Sequence, residues 1–182
     1  MATSLILLSG GLDSATALAV AAPETTSCYG LFLSYGQAAA REEMEAAKAI
    51  ADHYRVTLRT LTTIGPRFDS GEIRGRNAFL IHSALLAARP EPTTIIMGLH
   101  GGTSYIDCTP EFVDVMQRSL DLHTGGEVTL AAPFLAYSKA DIFLLARKLN
   151  VPVNLTYSCE RGGDPCGSCL SCRDRECLSA FA

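Results

Sequence analysis

An α/β fold is predicted, with an open, mostly parallel sheet and helices on both faces. Three observations predict it. Short apolar runs recur along the chain, stretches of helical period separate them, and prolines or glycines stand where those periods stop. Because strand and helix alternate throughout, the strands are joined by crossovers, which are right-handed in parallel sheets.

The first element is the run Leu5, Ile6, Leu7, Leu8, apolar at every position as a strand buried on both faces must be. A helix follows over residues 14–22 and stops at Pro23. CYGLFLSYG (28–36) reads as the second strand. Over 39–54, Met44, Ala47, Ala51 and Tyr54 recur at helical spacing, and RVTLRTLT (55–62) then alternates as the third strand. Residues 66–75 carry turn residues and charge without a period, so they form a loop. A helix over 76–89 ends at Pro90 and Pro92, and TTIIMGL (93–99) is the fourth strand. Pro110 opens a helix over 110–123, at a first turn where a missing N–H costs nothing. EVTLAAPF (127–134) is the fifth strand. Ser138 caps a helix through about Leu149, with Asp141 at the third position in place of the usual Glu.

The 182 residues suit one domain with a modest appendage: an α/β domain over 1–155 and a cysteine-rich segment over 156–182 packed on it. Apolar residues make up 48% and charged ones 19%, which places the chain among globular rather than disordered proteins. A net charge of -4 excludes a global positive field, so neither nucleic acid nor an anionic membrane surface is an expected partner. No apolar run approaches the ~18 residues of a membrane span, and Ser9, Gly10, Gly11, Asp13 and Ser14 interrupt the first. The chain reads as cytoplasmic. Its seven cysteines then suggest metal binding or catalysis more than disulfides.

Two motifs carry chemistry. SGGLDSAT (9–16) lies where the first strand turns into a helix, which is where open α/β sheets bind ligands. Glycines let the backbone approach an anion, the helix N-terminus offers unpaired N–H groups, and Ser9, Ser14 and Thr16 add hydroxyl donors. Asp13 would be repelled by a phosphate unless a cation stood between them, which suggests Mg²⁺. The alternative is a plain glycine turn in which Asp13 or Ser14 caps the helix. In the tail, Cys159, Cys166, Cys169 and Cys172 have the spacing C-x6-C-x2-C-x2-C, suited to a closed tetrahedral zinc site. The rival is an iron–sulfur cluster on Cys166, Cys169, Cys172 and Cys177. Cys28 and Cys108 read as core thiols.

SGGLDSAT resembles the SGG-x-DS loop of the PP-loop ATP pyrophosphatases. Together with SYGQ…REEMEAA, GRNAFL, GLHGGTSYIDCTPEF, SKADI and VPVNLTYSCERGGDPCGSCLSCRDR, it resembles the 7-cyano-7-deazaguanine synthase family of queuosine precursor synthesis along nearly the whole chain. The resemblance implies a Rossmann-like adenine nucleotide alpha hydrolase fold with a zinc-binding tail, commonly a homodimer. It also implies an ATP-dependent ligase that forms a C–N bond on a 7-deazaguanine carboxylate with ammonia. On that reading Leu8, Ser9, Gly10, Gly11, Leu12, Asp13, Ser14, Ala15 and Thr16 hold the pyrophosphate of ATP, and Mg²⁺ bridges it. Asp13, Ser14 and Lys139 are the catalytic candidates, Lys139 for negative charge on the reacting phosphate or else a surface lysine. Arg76 and Asn77 contact nucleotide or substrate, or merely open a helix. Tyr35, Gln37 and Asp107 are substrate candidates: Tyr35 stacks on the base or is a core tyrosine, and Asp107 reads a guanine-like edge or is a turn carboxylate.

The sequence departs from the family pattern at three places. Ala38 and Ala39 follow Gln37 where the family reads YGQRH, Ile106 and Thr109 replace a common proline and arginine, and the segment before GRN is shorter than usual. Two alternatives follow. A divergent paralogue would pass the activated deazapurine to another amine, for example on a protein acceptor, and a silent subunit would only bind nucleotide.

Overall fold

A computed structural model describes residues 3–22, 27–69 and 72–179. Strands β1 (Thr3–Leu7), β2 (Ser27–Ser34), β3 (Thr57–Thr62), β4 (Thr94–Ile96) and β5 (Thr129–Ala131) pair in parallel in the order β3-β2-β1-β4-β5. Leu5 of β1 stands opposite Tyr29 of β2 and Ile95 of β4, so β1 is central and buried on both faces. Its pleat sorts the chain into two cores. Ile6 and Leu8 pack with α1 (Leu12–Ala21), α2 (Ala40–Tyr54) and α5 (Lys139–Lys148), whereas Leu5 and Leu7 pack with α3 (Arg76–Ala87) and α4 (Pro110–Thr124). The predicted parallel α/β sheet with helices on both faces is thus the observed one.

The helix ends follow local chemistry. Thr109 accepts a hydrogen bond from the N–H of Phe112 at 3.2 Å, with Pro110 in the first turn of α4. At α5 the capping box is complete: Asp141 N–H donates to Ser138 Oγ at 3.2 Å, and Ser138 N–H donates to Asp141 Oδ2 at 2.8 Å. The first helix starts at Leu12 rather than residue 14, so Asp13 and Ser14 sit inside its first turn instead of before it. The expected stop at Pro23 lies outside the described residues. A sixth helix, α6 (Leu170–Ser179), was not expected, because the glycines and the C-x2-C spacing read as turns. That spacing is also three residues, close to one helical turn.

Strand order reverses between β1 and β4, and at such a switch point the loops leaving the two strands diverge and leave a crevice. Glycines close its floor. Gly10 has φ +84°, and a Cβ there would overlap the carbonyl oxygen of Glu43 in α2. Gly98, just after β4, packs against the backbone of Asp13 and Ser14. Gly10→Ala is therefore expected to cost at least about 2 kcal/mol, from a left-handed alanine and a backbone overlap together. A denaturant midpoint that moves by the equivalent of less than about 0.5 kcal/mol would contradict this packing. No helix among the described residues is long and apolar enough to cross a membrane.

Candidate active site

A cavity of about 340 Å³ opens beyond the C-terminal ends of β1, β2 and β4, a size that suits a small-molecule ligand. Its floor is the loop at residues 9–14. Hydroxyls hold that loop: Ser14 Oγ donates to the Gly11 carbonyl at 3.0 Å, and Ser9 Oγ donates to Ser14 Oγ at 3.1 Å. By helix geometry the N–H groups in the first turn of α1 have no acceptor within the helix, so they are available to an anion in the cavity.

The charged centre joins three elements. Lys139, the first residue of α5, donates from Nζ to both carboxylate oxygens of Asp13, at 2.7 and 2.6 Å. His100, from the loop after β4, brings Nε2 to 3.8 Å from Asp13 Oδ2. Burial lowers the His100 pKa; the Lys139 charge lowers it further, while Asp13 and Asp174 oppose the shift. At neutral pH this favours the uncharged imidazole. Asp13 already has a cation of its own, so part of the electrostatic role assigned from sequence to a metal falls to the Lys139 ammonium. His100 was missed in the sequence. Its signal was position, since GLHGG follows the fourth strand at the switch point.

The remaining loop residues divide. Leu8, Ser9, Gly11, Leu12, Asp13 and Ser14 line the cavity, whereas Gly10, Ala15 and Thr16 do not. Thr16 is fully buried and its hydroxyl donates to the Leu12 carbonyl at 2.8 Å, so the hydroxyl expected at a phosphate is spent inside the helix. Gly10 contributes from behind: its carbonyl accepts the N–H of Tyr157 at 2.9 Å, which ties the tail to the loop.

The opposite wall holds Tyr35, Gln37, Glu43, Arg76 and Asn77. Asn77 is fully buried, donates from Nδ2 to the Asp107 carbonyl at 3.1 Å, and accepts from Arg76 Nε at 3.1 Å. It supports Arg76 rather than presenting an amide to a ligand. Gln37 is likewise satisfied internally. Its Oε1 accepts the Tyr35 N–H at 2.8 Å, and its Nε2 donates to the Leu33 carbonyl at 3.1 Å and to Glu43 Oε2 at 2.9 Å. Tyr35 lines the cavity and packs on Phe68 with ring centroids 6.1 Å apart. Asp107, on a 3₁₀ turn at Ile106–Cys108, lies outside the cavity wall. Glu43 was not foreseen. Burial raises its carboxyl pKa, against the Gln37 hydrogen bond and the charge of Arg76.

In the tail, the four sulfurs of Cys159, Cys166, Cys169 and Cys172 all lie within 4.8 Å of one another. A tetrahedron with ~2.3 Å metal–sulfur bonds has edges of about 3.8 Å, and the Cys166–Cys172 Sγ separation is 4.0 Å. The N–H groups of Cys169 and Cys172 donate to the preceding sulfurs at 3.4 Å; hydrogen bonds from Ser168 draw the Cys166 pKa down to about 5, whereas burial pushes that of Cys172 up to about 12. Such a set can hold one metal ion. Cys177 is exposed and outside the cluster, so the C-x2-C-x2-C-x4-C alternative does not assemble.

The family profile described as queuosine biosynthesis protein QueC matches residues 3–69 and 66–181. The chain belongs to the QueC family. Relatives of QueC type include the 7-cyano-7-deazaguanine synthase of Acetivibrio thermocellus, 32% identical over 94% of this chain and 90% of that one. That of Synechococcus sp. is 35% identical over 96% and 92%. The 7-cyano-7-deazaguanine synthase 2 of Desulfitobacterium hafniense is 34% identical over 211 aligned positions, covering 100% of this chain and 89% of that one. Since this chain has 182 residues, 211 minus 182 leaves about 29 positions of that QueC relative without a counterpart here. Among solved structures, the tRNA thiolase NcsA of Methanococcus maripaludis with its [4Fe-4S] cluster shares the fold. Its TM-score is 0.59 at 17% identity, covering 99% of this chain and 65% of that one.

Within this QueC fold the two alanines after Gln37 differ: Ala38 is exposed, and only Ala39 packs inside. Ala39 is buried at the start of α2, and the Ala38 carbonyl lies against Gly162, where a Cβ would come within 2.8 Å. The tail thus closes tightly over the N-terminus of α2.

Proposed function

We propose that this chain is an ATP-dependent 7-cyano-7-deazaguanine synthase, a ligase forming a C–N bond. The observation that carries the reading is the Asp13–Lys139 pair, set at the first turn of α1 beside the serine–glycine loop, in a chain of the QueC family. The carboxylate of 7-carboxy-7-deazaguanine attacks the α-phosphate of ATP, and pyrophosphate leaves. Ammonia then attacks the acyl adenylate, AMP leaves, and an amide forms. The amide oxygen then attacks the α-phosphate of a second ATP, pyrophosphate leaves, and loss of the two N–H protons with departure of AMP gives the nitrile.

The protein's share of this chemistry is positioning and charge stabilisation. Leu12, Asp13 and Ser14 present the first-turn N–H groups to the pyrophosphate, while the Gly11 N–H donates to Ser9 Oγ at 3.4 Å, and Ser9 and Ser14 keep the loop in shape. Lys139 stabilises the charge that builds on the α-phosphate, held in register by Asp13. Arg76 offers its guanidinium from the far wall, and Tyr35 offers a ring face to the base. Mg²⁺ would be held by the phosphates near Asp13 and would supply further charge neutralisation. Zn²⁺ on Cys159, Cys166, Cys169 and Cys172 would be structural, because four thiolates leave no open position. The working unit is a homodimer in the cytoplasm. The missing stretch of about 29 positions favours a second reading, in which the adenylate meets a different amine. The test is release of AMP and pyrophosphate that depends on the deazapurine carboxylate, with product mass separating nitrile from any other adduct.

A further inference from the structure

One side chain joins the cysteine cluster to the nucleotide loop. α6 starts just after Cys169, and Cys172 lies in its first turn. Arg175 follows three residues later, on the same side of the helix. Its guanidinium reaches back to the segment between α5 and the cysteines. Nη1 donates to the Thr156 carbonyl at 2.8 Å, to Thr156 Oγ1 at 3.1 Å and to Ser158 Oγ at 3.2 Å, and Nη2 donates to the Val153 carbonyl at 2.9 Å. That segment belongs to no strand and has only a 3₁₀ turn at Val153–Leu155. The residue between Thr156 and Ser158 is Tyr157. Its N–H holds the Gly10 carbonyl at 2.9 Å, and its hydroxyl donates to the Gly163 carbonyl at 2.8 Å.

We propose that Arg175 is the positioning residue through which the cysteine centre sets the shape of the nucleotide loop. It fixes both neighbours of Tyr157, so the Tyr157 N–H is presented to Gly10, and Gly10 in turn precedes the anion-binding turn. A planar fork of donors is needed to reach acceptors on residues 153, 156 and 158 at once, and a lysine ammonium lacks that span. The inference rests on the reading that residues 9–14 bind the pyrophosphate of ATP. Thr156, Tyr157, Ser158 and Arg175 themselves line the cavity, and the inference adds that Arg175 acts on the loop by holding this segment in place.

The test compares the wild-type protein with Arg175→Met, Arg175→Lys and Ser158→Ala by metal content, thermal melting and direct calorimetric titration with Mg²⁺–ATP. Arg175→Met is expected to keep its metal and to bind ATP roughly 10- to 100-fold more weakly, as when charged hydrogen bonds are removed. Arg175→Lys should recover only part of that loss. Ser158→Ala, which removes a single exchangeable acceptor, should weaken ATP by about threefold with an unchanged melt. In steady state, KM for ATP should rise while KM for the deazapurine stays within about twofold. If Arg175→Met lost its fold or its metal, Ser158→Ala and Arg175→Lys would still decide, and ATP affinities equal to wild type in both would overturn the proposal. So would wild-type affinity in a metal-loaded Arg175→Met. Wild-type protein that binds ATP but makes no AMP with a deazapurine would sink the proposed activity and leave the Arg175 comparison decisive. Wild-type protein that binds no ATP would overturn both.

Discussion

Asp13→Asn is expected to lower pyrophosphate release from ATP by at least about 10²- to 10³-fold while leaving the fold in place. The carboxylate accepts from Lys139 Nζ with both oxygens, at 2.7 and 2.6 Å. An asparagine offers one neutral oxygen and turns an N–H₂ toward an ammonium, so Lys139 loses both its charge partner and its bidentate register. Lys139 also stands at the N-terminus of α5, where the helix dipole repels a cation. Without Asp13 its ammonium swings toward solvent, and the reacting phosphate loses a charge held ready at the moment of transfer. The stability change should be small. The two side chains are 22% and 30% exposed, so the pair is partly screened, and losing it together with the acidic residue in the first turn of α1 costs about 1 kcal/mol or less. Steady-state pyrophosphate release alongside a thermal melt separates the two effects. Turnover within about threefold of wild type would reduce Asp13 to an acidic first-turn residue that only favours the helix dipole.

Removing the metal, or replacing Cys169 by serine, should release the tail from about residue 157 onward. Among the described residues, only Tyr157 and Cys166 pack against the cluster formed by Cys159, Cys169 and Cys172, so little apolar packing holds this part of the tail. Structural zinc contributes ~10–16 kcal/mol in small peptides, against a whole-domain stability of ~5–15 kcal/mol. The tail can open without the sheet, however, because β1, β2 and β4 are buried by helices α1 to α5. Amide exchange should therefore become fast over 159–176 in chelated protein, while the central strands stay protected and ATP binding weakens through Tyr157 and Gly10. Protected tail amides after complete metal removal would show that the segment holds itself.

Most of the sheet was legible in the sequence because a parallel α/β fold writes its strands as apolar runs and its helices as periods. The sixth helix was not. LSCRDRECLS is polar, so its packing comes from Cys169, Cys172 and Arg175 rather than from an apolar stripe. Asp13 and Lys139 were both read as catalytic, but they are 126 positions apart, and only the crossover topology brings α1 and α5 together. Gln37 and Asn77 were picked for their chemistry, and the fold spends that chemistry on backbone groups left bare at strand and helix ends. Glu43 escaped notice because a charged residue in the first turns of an amphipathic helix reads as solvated. There α2 begins beside the cavity, so its half-buried carboxyl forms part of the wall.

The central claim is that the loop at residues 9–14, with Lys139, activates a deazapurine carboxylate as an adenylate. Purified protein incubated with ATP, Mg²⁺, 7-carboxy-7-deazaguanine and ammonium, with products resolved by mass spectrometry, tests it most directly. The expected result is AMP and pyrophosphate released only when the deazapurine is present, together with the mass of the nitrile. Absence of both AMP and pyrophosphate with any deazapurine carboxylate would contradict it.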